Sequence, residues 1–98
     1  MDIERISAGL LEAAKIADGY VPTETDLLGA PLISNWIIAM RPGDPRPSLV
    51  GSITGHPTLG DTALSATSVV LAMSVDGGWA RTVSRYYRLG PRAGTKTN

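Results

Sequence analysis

Between Trp79 and Gly90 the chain carries Arg81, Arg85 and Arg88 with Tyr86 and Tyr87 and no acid, and Arg92 follows two residues on. A guanidinium group is a planar fork of donors that holds a carboxylate or a phosphate by two parallel hydrogen bonds. Read as a single strand, the stretch places Arg81, Val83, Arg85 and Tyr87 on one face, because successive side chains alternate. Two arginines beside a tyrosine would form a surface for carboxylates, phosphates or bases. We therefore take Arg81, Arg85, Tyr87, Arg88 and Arg92 as the partner-binding residues, with Lys96 extending them. The ordinary alternative is a solvated strand face whose arginine stems cover apolar surface. The two readings differ in whether the arginines are tied to acids of the same chain.

Little else in the sequence points to chemistry. His56 is the single histidine and there is no cysteine, so no zinc ligand set and no thiolate nucleophile can be assembled. The acids are scattered, and no two have the spacing of a general acid–base pair. The glycines form neither a dinucleotide fingerprint nor a phosphate-binding loop. A serine, His56 and Asp61 could be drawn as a triad, but no serine sits in a nucleophile elbow. His56 is expected to fix the Gly55-His56-Pro57 turn by a ring–backbone hydrogen bond. The sequence predicts no catalytic, cofactor or metal residue and no enzyme.

Residues 3–18 have the period of an amphipathic helix. Ile3, Ile6, Leu10, Ala13 and Ala17 recur at steps of three and four. Asp2 suits the N-cap, Glu12 and Lys15 are spaced to pair, and Gly19 suits the C-terminal turn. Glu24–Leu28 reads as a short second helix, with Thr23 and Asp26 resembling a capping box. Four strands follow: Leu32–Met40, Ser48–Gly55, Ala66–Ser74 and Trp79–Gly90. Pro42, Pro45 and Pro47 make the first connection a loop, and Thr58–Leu64 reads as another. The two glycines of the second strand mark a bulge or a close backbone approach. Val69, Val70 and Leu71 are expected to be covered on both faces. Leu10 is expected to pack on the sheet. The predicted class is α+β, with both helices on a four-stranded antiparallel meander. Residues 1–90 form one domain and 91–98 a flexible C-terminal tail.

Ninety-eight residues suffice for one modest core. Phe is absent, so that core must rest on aliphatic side chains and few aromatics. The net charge is zero but segregated: nine acids and four bases lie in residues 1–76, and five bases with no acid in 77–98. Such asymmetry suggests one acidic and one basic surface. Met1-Asp2-Ile3-Glu4 lacks the basic opening of a signal peptide, and the apolar runs are too short to span a bilayer. The expectation is a soluble protein of the host-cell cytoplasm without membrane contact.

Gly55-His56-Pro57-x-Leu59-Gly60-Asp61, Thr67-Ser68 and Gly78-Trp79-Ala80-Arg81-Thr82-x-Ser84-Arg85-x-Tyr87-Arg88-Leu89-Gly90 resemble, in that order, the motifs of a family of small bacterial proteins of unassigned function. That resemblance implies no activity and transfers no catalytic residue. In size and in its neutral, cysteine-free composition the chain also looks like the anti-CRISPR proteins of phages and mobile elements, in particular one acting on a type I-C surveillance complex. That likeness implies a stoichiometric inhibitor that occupies a protein surface handling nucleic acid. The acidic N-terminal part would then mimic phosphate, and the arginine strand would be a second docking face. The expected function is a non-enzymatic, protein-binding inhibitor. The competing expectation is a small nucleic-acid-binding or regulatory module that sets the arginines on phosphates, which a steep salt dependence would reveal. The sequence leaves the oligomeric state open.

Overall fold

The computed structural model describes residues 3–40 and 42–94, so the expected Asp2 cap and Lys96 lie outside the described residues. Helix α1 spans Ile3–Ala17 and α2 spans Glu24–Leu27. The C-terminus of α1 closes as its sequence predicts. Gly19 takes φ 107°, its N–H donates to Ile16 O, and the Tyr20 N–H donates to Lys15 O, each at 3.0 Å. This paired arrangement satisfies carbonyls that the helix itself leaves without donors. Thr23 and Asp26 form the full capping box, each side chain meeting the other's backbone N–H.

The strands are β1 Leu32–Met40, β2 Pro47–Thr54, β3 Thr62–Ala66, β4 Val70–Ser74, β5 Trp79–Thr82 and β6 Tyr86–Leu89. They form one sheet in the order β3-β2-β1-β6-β5-β4. The α+β class and the N-terminal helix stand, but the sheet is six-stranded and mixed rather than a four-stranded antiparallel meander. It consists of two antiparallel meanders, β1–β3 and β4–β6, joined along a short parallel seam pairing Leu32 with Arg88 and Ile33 with Leu89.

Two local features account for the difference. Asp61 accepts the Gly55 N–H at 3.0 Å and closes a tight loop. The chain returns so soon that residues 62–64 of the supposed loop join Ser65 and Ala66 in an edge strand. The stretch Trp79–Gly90 is two strands, because the Thr82 side chain turns the chain back on itself. Its Oγ1 accepts the N–H groups of Ser84 and Arg85, both at 3.2 Å, and donates to Arg85 O at 3.1 Å. A threonine hydroxyl can replace the backbone partners of a turn in this way without any glycine.

The expected strand Ala66–Ser74 is also shorter. Residues 67–69 cross from β3 to β4, and the crossing is held by Thr67, whose Oγ1 accepts the Leu49 N–H at 3.0 Å. Val69, Val70 and Leu71 are half-buried instead of covered on both faces, since β4 is an edge of the sheet. Asn35 N–H donates to Pro91 O and Ala93 N–H to Trp36 O, so residues 91–93 lie along β1. Residues 95–98 are outside the described residues.

A bulge in β1 shapes the core. Asn35 takes φ 51°, a left-handed conformation that asparagine tolerates, and the register to β2 shifts between Ser34 and Ile37. Opposite it, a Cβ on Gly51 would stand 2.7 Å from Ser34 O and 3.0 Å from Trp36 Cα, which explains one of the two glycines in β2. The bulge sends Trp36 inward, where its Nε1–H donates to Gly90 O at 2.9 Å. Trp36 joins Ile33, Leu49, Ile53, Ala80 and Tyr87 in the main core. The sheet curls around this cluster until β2 faces β4 across it. A second cluster, Leu27, Trp79 and Tyr86, lies under the helices.

Helix α1 covers β4 and β5, and α2 covers β6. The α1 stripe that does so is Ile6, Gly9, Ala13 and Ile16, with Gly9 buried. Leu10, expected on the sheet, is 55% exposed, and Ile3 and Leu11 are exposed with it. The reason is how close the helix lies: a Cβ on Gly9 would sit 2.4 Å from Val83 O, in the β5–β6 turn. Only the glycine stripe permits that approach, so the bulky residues turn outward. No helix among the described residues is long and apolar enough to cross a membrane.

Candidate functional site

The turn Val83–Arg85 stands between two open clefts, and Ser84 and Arg85 line both. On one side a cleft of about 250 Å³ runs between the turn and the segment Leu28–Pro31, with Arg81 and Tyr86 in its wall. On the other side a cleft of about 300 Å³ lies between the turn, the His56 loop and the start of α1, and takes in Arg5, His56 and Tyr87.

Arg81 and Tyr86 are register partners across β5 and β6, so they share a sheet face. That face is the helix side, because the Tyr86 hydroxyl donates to Glu12 of α1 at 2.5 Å. A single strand would put Tyr87 on the face of Arg81, whereas the turn at Thr82 puts Tyr86 there. The Arg81 guanidinium carbon lies 5.1 Å from the centre of the Tyr86 ring, a cation–π arrangement. The Arg81 Nε is buried and has no hydrogen-bond partner among the described residues. Asp26, on the rim of the same cleft, already accepts from Tyr20 and from Thr23. These bonds, the Tyr20 hydroxyl foremost, hold the Asp26 carboxyl below its ordinary range.

The five sequence-predicted residues are therefore not one surface. Arg81 and Arg85 meet at the first cleft, and Arg85 and Tyr87 at the second. Tyr87 is 4% exposed, and its ring belongs to the main core. Arg88 shares the helix face but reaches Glu24 at 3.7 Å, an exposed pair that adds little stability. Arg92 stacks over Trp36 at 5.2 Å, beside the bulge, and lines neither cleft. Arg5, Thr58, Ser65 and Ser68, which line the second cleft, escaped the sequence reading. They come from separate segments, and no spacing connects them.

His56 holds its loop as expected. Its Nδ1 accepts the N–H groups of Thr58 at 3.2 Å and Leu59 at 3.0 Å, which assigns the proton of the neutral ring to Nε2. Burial lowers its pKa, and Arg85 and Arg5 lower it further. The ring packs on Tyr87 with centroids 6.4 Å apart. Among the described residues no three metal-ligating side chains stand together.

Glu12 ties the site to α1. The bond from Tyr86 is the main cause that lowers its pKa below 4.5, and burial opposes it. A depressed carboxylate pKa contributes stability that is present above the unfolded-state value and is lost as pH falls through the folded one. Tyr86→Phe should therefore cost about 1 kcal/mol at neutral pH, the scale of one partly exposed charge-assisted hydrogen bond. The gap in melting temperature between wild type and variant should narrow as pH falls from 5 to 3. A gap independent of pH would mean that the hydroxyl does not meet the ionised carboxylate.

No curated protein and no solved structure matches the chain. A family model does, over residues 3–95, which takes in both helices, all six strands and every residue lining the two clefts. The chain therefore belongs to the Family of unknown function (DUF6634).

Proposed function

We propose that the protein is a non-enzymatic binding protein that grips the carboxylates of an acidic protein partner at the cleft between Arg81 and Arg85. The observation that carries this reading is the buried, unpartnered Arg81 Nε at an open cleft that Arg85 also lines. A buried donor normally has an acceptor, and a partner's carboxylate would supply one. Neither arginine forms an ion pair among the described residues, and Asp26 on the cleft rim takes its hydrogen bonds from Tyr20 and Thr23 instead. In its narrower form the proposal is an inhibitor encoded by a mobile element that occupies the surface of a type I surveillance complex. That form rests on the likeness of size and composition.

The test uses one set of variants for both folding and binding. Arg81→Glu with Arg85→Glu should abolish capture of the partner from host lysate. Arg81→Lys with Arg85→Lys should weaken capture less, since it keeps the charge and loses the fork. Each variant is melted alongside. A folded double Glu variant that captures the same partner as wild type would overturn the reading. So would a steep salt dependence of binding to duplex DNA abolished by the same variant, which would assign the arginines to phosphates.

A further inference from the structure

The side of α1 that turns away from the core carries a second apolar stripe. Ile3, Ser7, Leu10, Ala14 and Ala17 recur at steps of four and three, and all are exposed. That is the spacing of a seam between two packed helices. Glu4, Arg5, Glu12 and Lys15, the charged residues of α1, fall outside it at about 100° per residue. The contacts of the helix fix where the seam lies. Gly9 meets Val83 in the β5–β6 turn, and Ile16 packs in the cluster with Trp79 at the other end of β5, so α1 runs along the strands. The Glu12 side of the helix reaches Tyr86 of β6. The seam lies on the opposite side and therefore overhangs β4, which ends the sheet. An edge strand is usually guarded by a charge or a proline, and Val70–Ser74 holds neither.

An uncharged strand edge and an uncharged helix seam thus lie side by side. One two-fold axis perpendicular to the sheet would pair both at once, each antiparallel with its own copy. Strands pair about 4.8 Å apart and helices pack about 8–10 Å apart. Across one axis β4 would stand about 2.4 Å away and α1 about 4–5 Å, so the helix must sit inward of its strand by about 2 Å, towards β5. Helix α1 rests on both β4 and β5, as that arrangement requires. We propose that two copies of this chain associate through β4 and the α1 face of Ile3, Leu10 and Ala17, joining their sheets edge to edge. An extended peptide would fill the strand edge and leave the helix seam bare, so a second copy is the better fit. A net charge of zero adds no repulsion between copies. The register shift at Leu71 leaves only residues 72–74 in regular pairing, so the contact is small and the dimer weak. At the low micromolar concentration of a thermal melt the chain is a monomer, and the melt reports its own fold. No residue of the seam or of β4 lines either cleft, so the inference stands apart from the protein-partner reading.

Sedimentation equilibrium of the full chain from about 10 µM to about 1 mM tests it, a span that covers weak association. The mass should rise from 10.3 kDa towards twice that value. Leu10→Asp puts an unpaired carboxylate of each copy into the seam and should raise the dissociation constant more than about tenfold. Ala14→Lys should do the same, and decides if Leu10→Asp does not fold. Leu64→Asp, on the opposite edge strand β3, should leave the association unchanged. Amide exchange within residues 72–74 should slow at the higher concentration, as their outward N–H groups gain partners. A constant monomer mass over the whole range, wild-type association in a folded Leu10→Asp or Ala14→Lys protein, or exchange in β4 that does not change with concentration overturns the proposal. So does association lost in a folded Leu64→Asp protein.

Discussion

Replacing Gly9 by alanine should destabilise the protein, although alanine is the better helix former by about 1 kcal/mol. The added Cβ would stand 2.4 Å from Val83 O, and the obstructing atom is backbone in a turn held by three bonds to Thr82. Neither side can give cheaply. The helix would have to lift off β4 and β5, opening the cluster that Ile16 shares with Leu27, Trp79 and Tyr86. Overpacking of a close contact costs about 1–3 kcal/mol, and each kcal/mol lowers the melting temperature of a domain this size by about 4–8 °C. Valine, larger and β-branched, should cost more than alanine. Leu10→Asp, one residue along, should stay within about 0.5 kcal/mol of wild type, as exposed substitutions do. Thermal melts of the three variants rank the sites. A Gly9→Ala protein as stable as wild type would mean that α1 does not rest on the β5–β6 turn.

Trp36→Ala should cause the largest loss of any single truncation, about 3–5 kcal/mol for a buried tryptophan. The indole is 1% exposed and is held at both ends. Its Nε1–H is bonded to Gly90 O, and its ring carries Arg92. Its backbone carbonyl also holds Ala93. Native domains have only about 5–15 kcal/mol to lose, so the variant should unfold at much lower urea or not fold at all. Trp36→Phe separates the contributions, since it keeps most of the apolar area and loses one hydrogen bond worth about 1 kcal/mol. Urea titrations of both variants give the ordering. A Trp36→Phe loss equal to that of Trp36→Ala would put the value of the residue in the bond and not in the packing.

Features that depend on a few neighbouring residues were legible in the sequence. The Gly19 closure, the capping box of Thr23 and Asp26, the Glu12–Lys15 pair, the His56 loop and the close approach at Gly51 all follow from side-chain chemistry within one turn or one strand pair. The face of α1 was misread for a physical reason. Periodicity weighs Leu10 and Ile3 as core and counts Gly9 as nothing, whereas close helix–sheet packing selects the residue without a side chain. The turn at Thr82 was hidden because hydroxyl-capped turns carry no glycine or proline. Once it was missed, Arg81 and Arg85 were put on one strand face, when a turn separates them. The arginines themselves were legible by type. The second cleft was not, since Arg5, His56, Ser65 and Tyr87 are brought together only by the curl of the sheet.

The parallel seam between β1 and β6 bears on the order in which the chain can assemble. Each meander pairs neighbours in sequence, and short loops close at little entropic cost. The seam instead joins residues 32 and 33 to residues 88 and 89, so it must wait for more than half the chain to be gathered. Contacts of such long range slow folding more than any local pairing does. Both clefts border strands of the later meander, and the walls of the second come from both. The local pairings of either half alone therefore cannot complete the second cleft, whose walls come together only once the two meanders have joined.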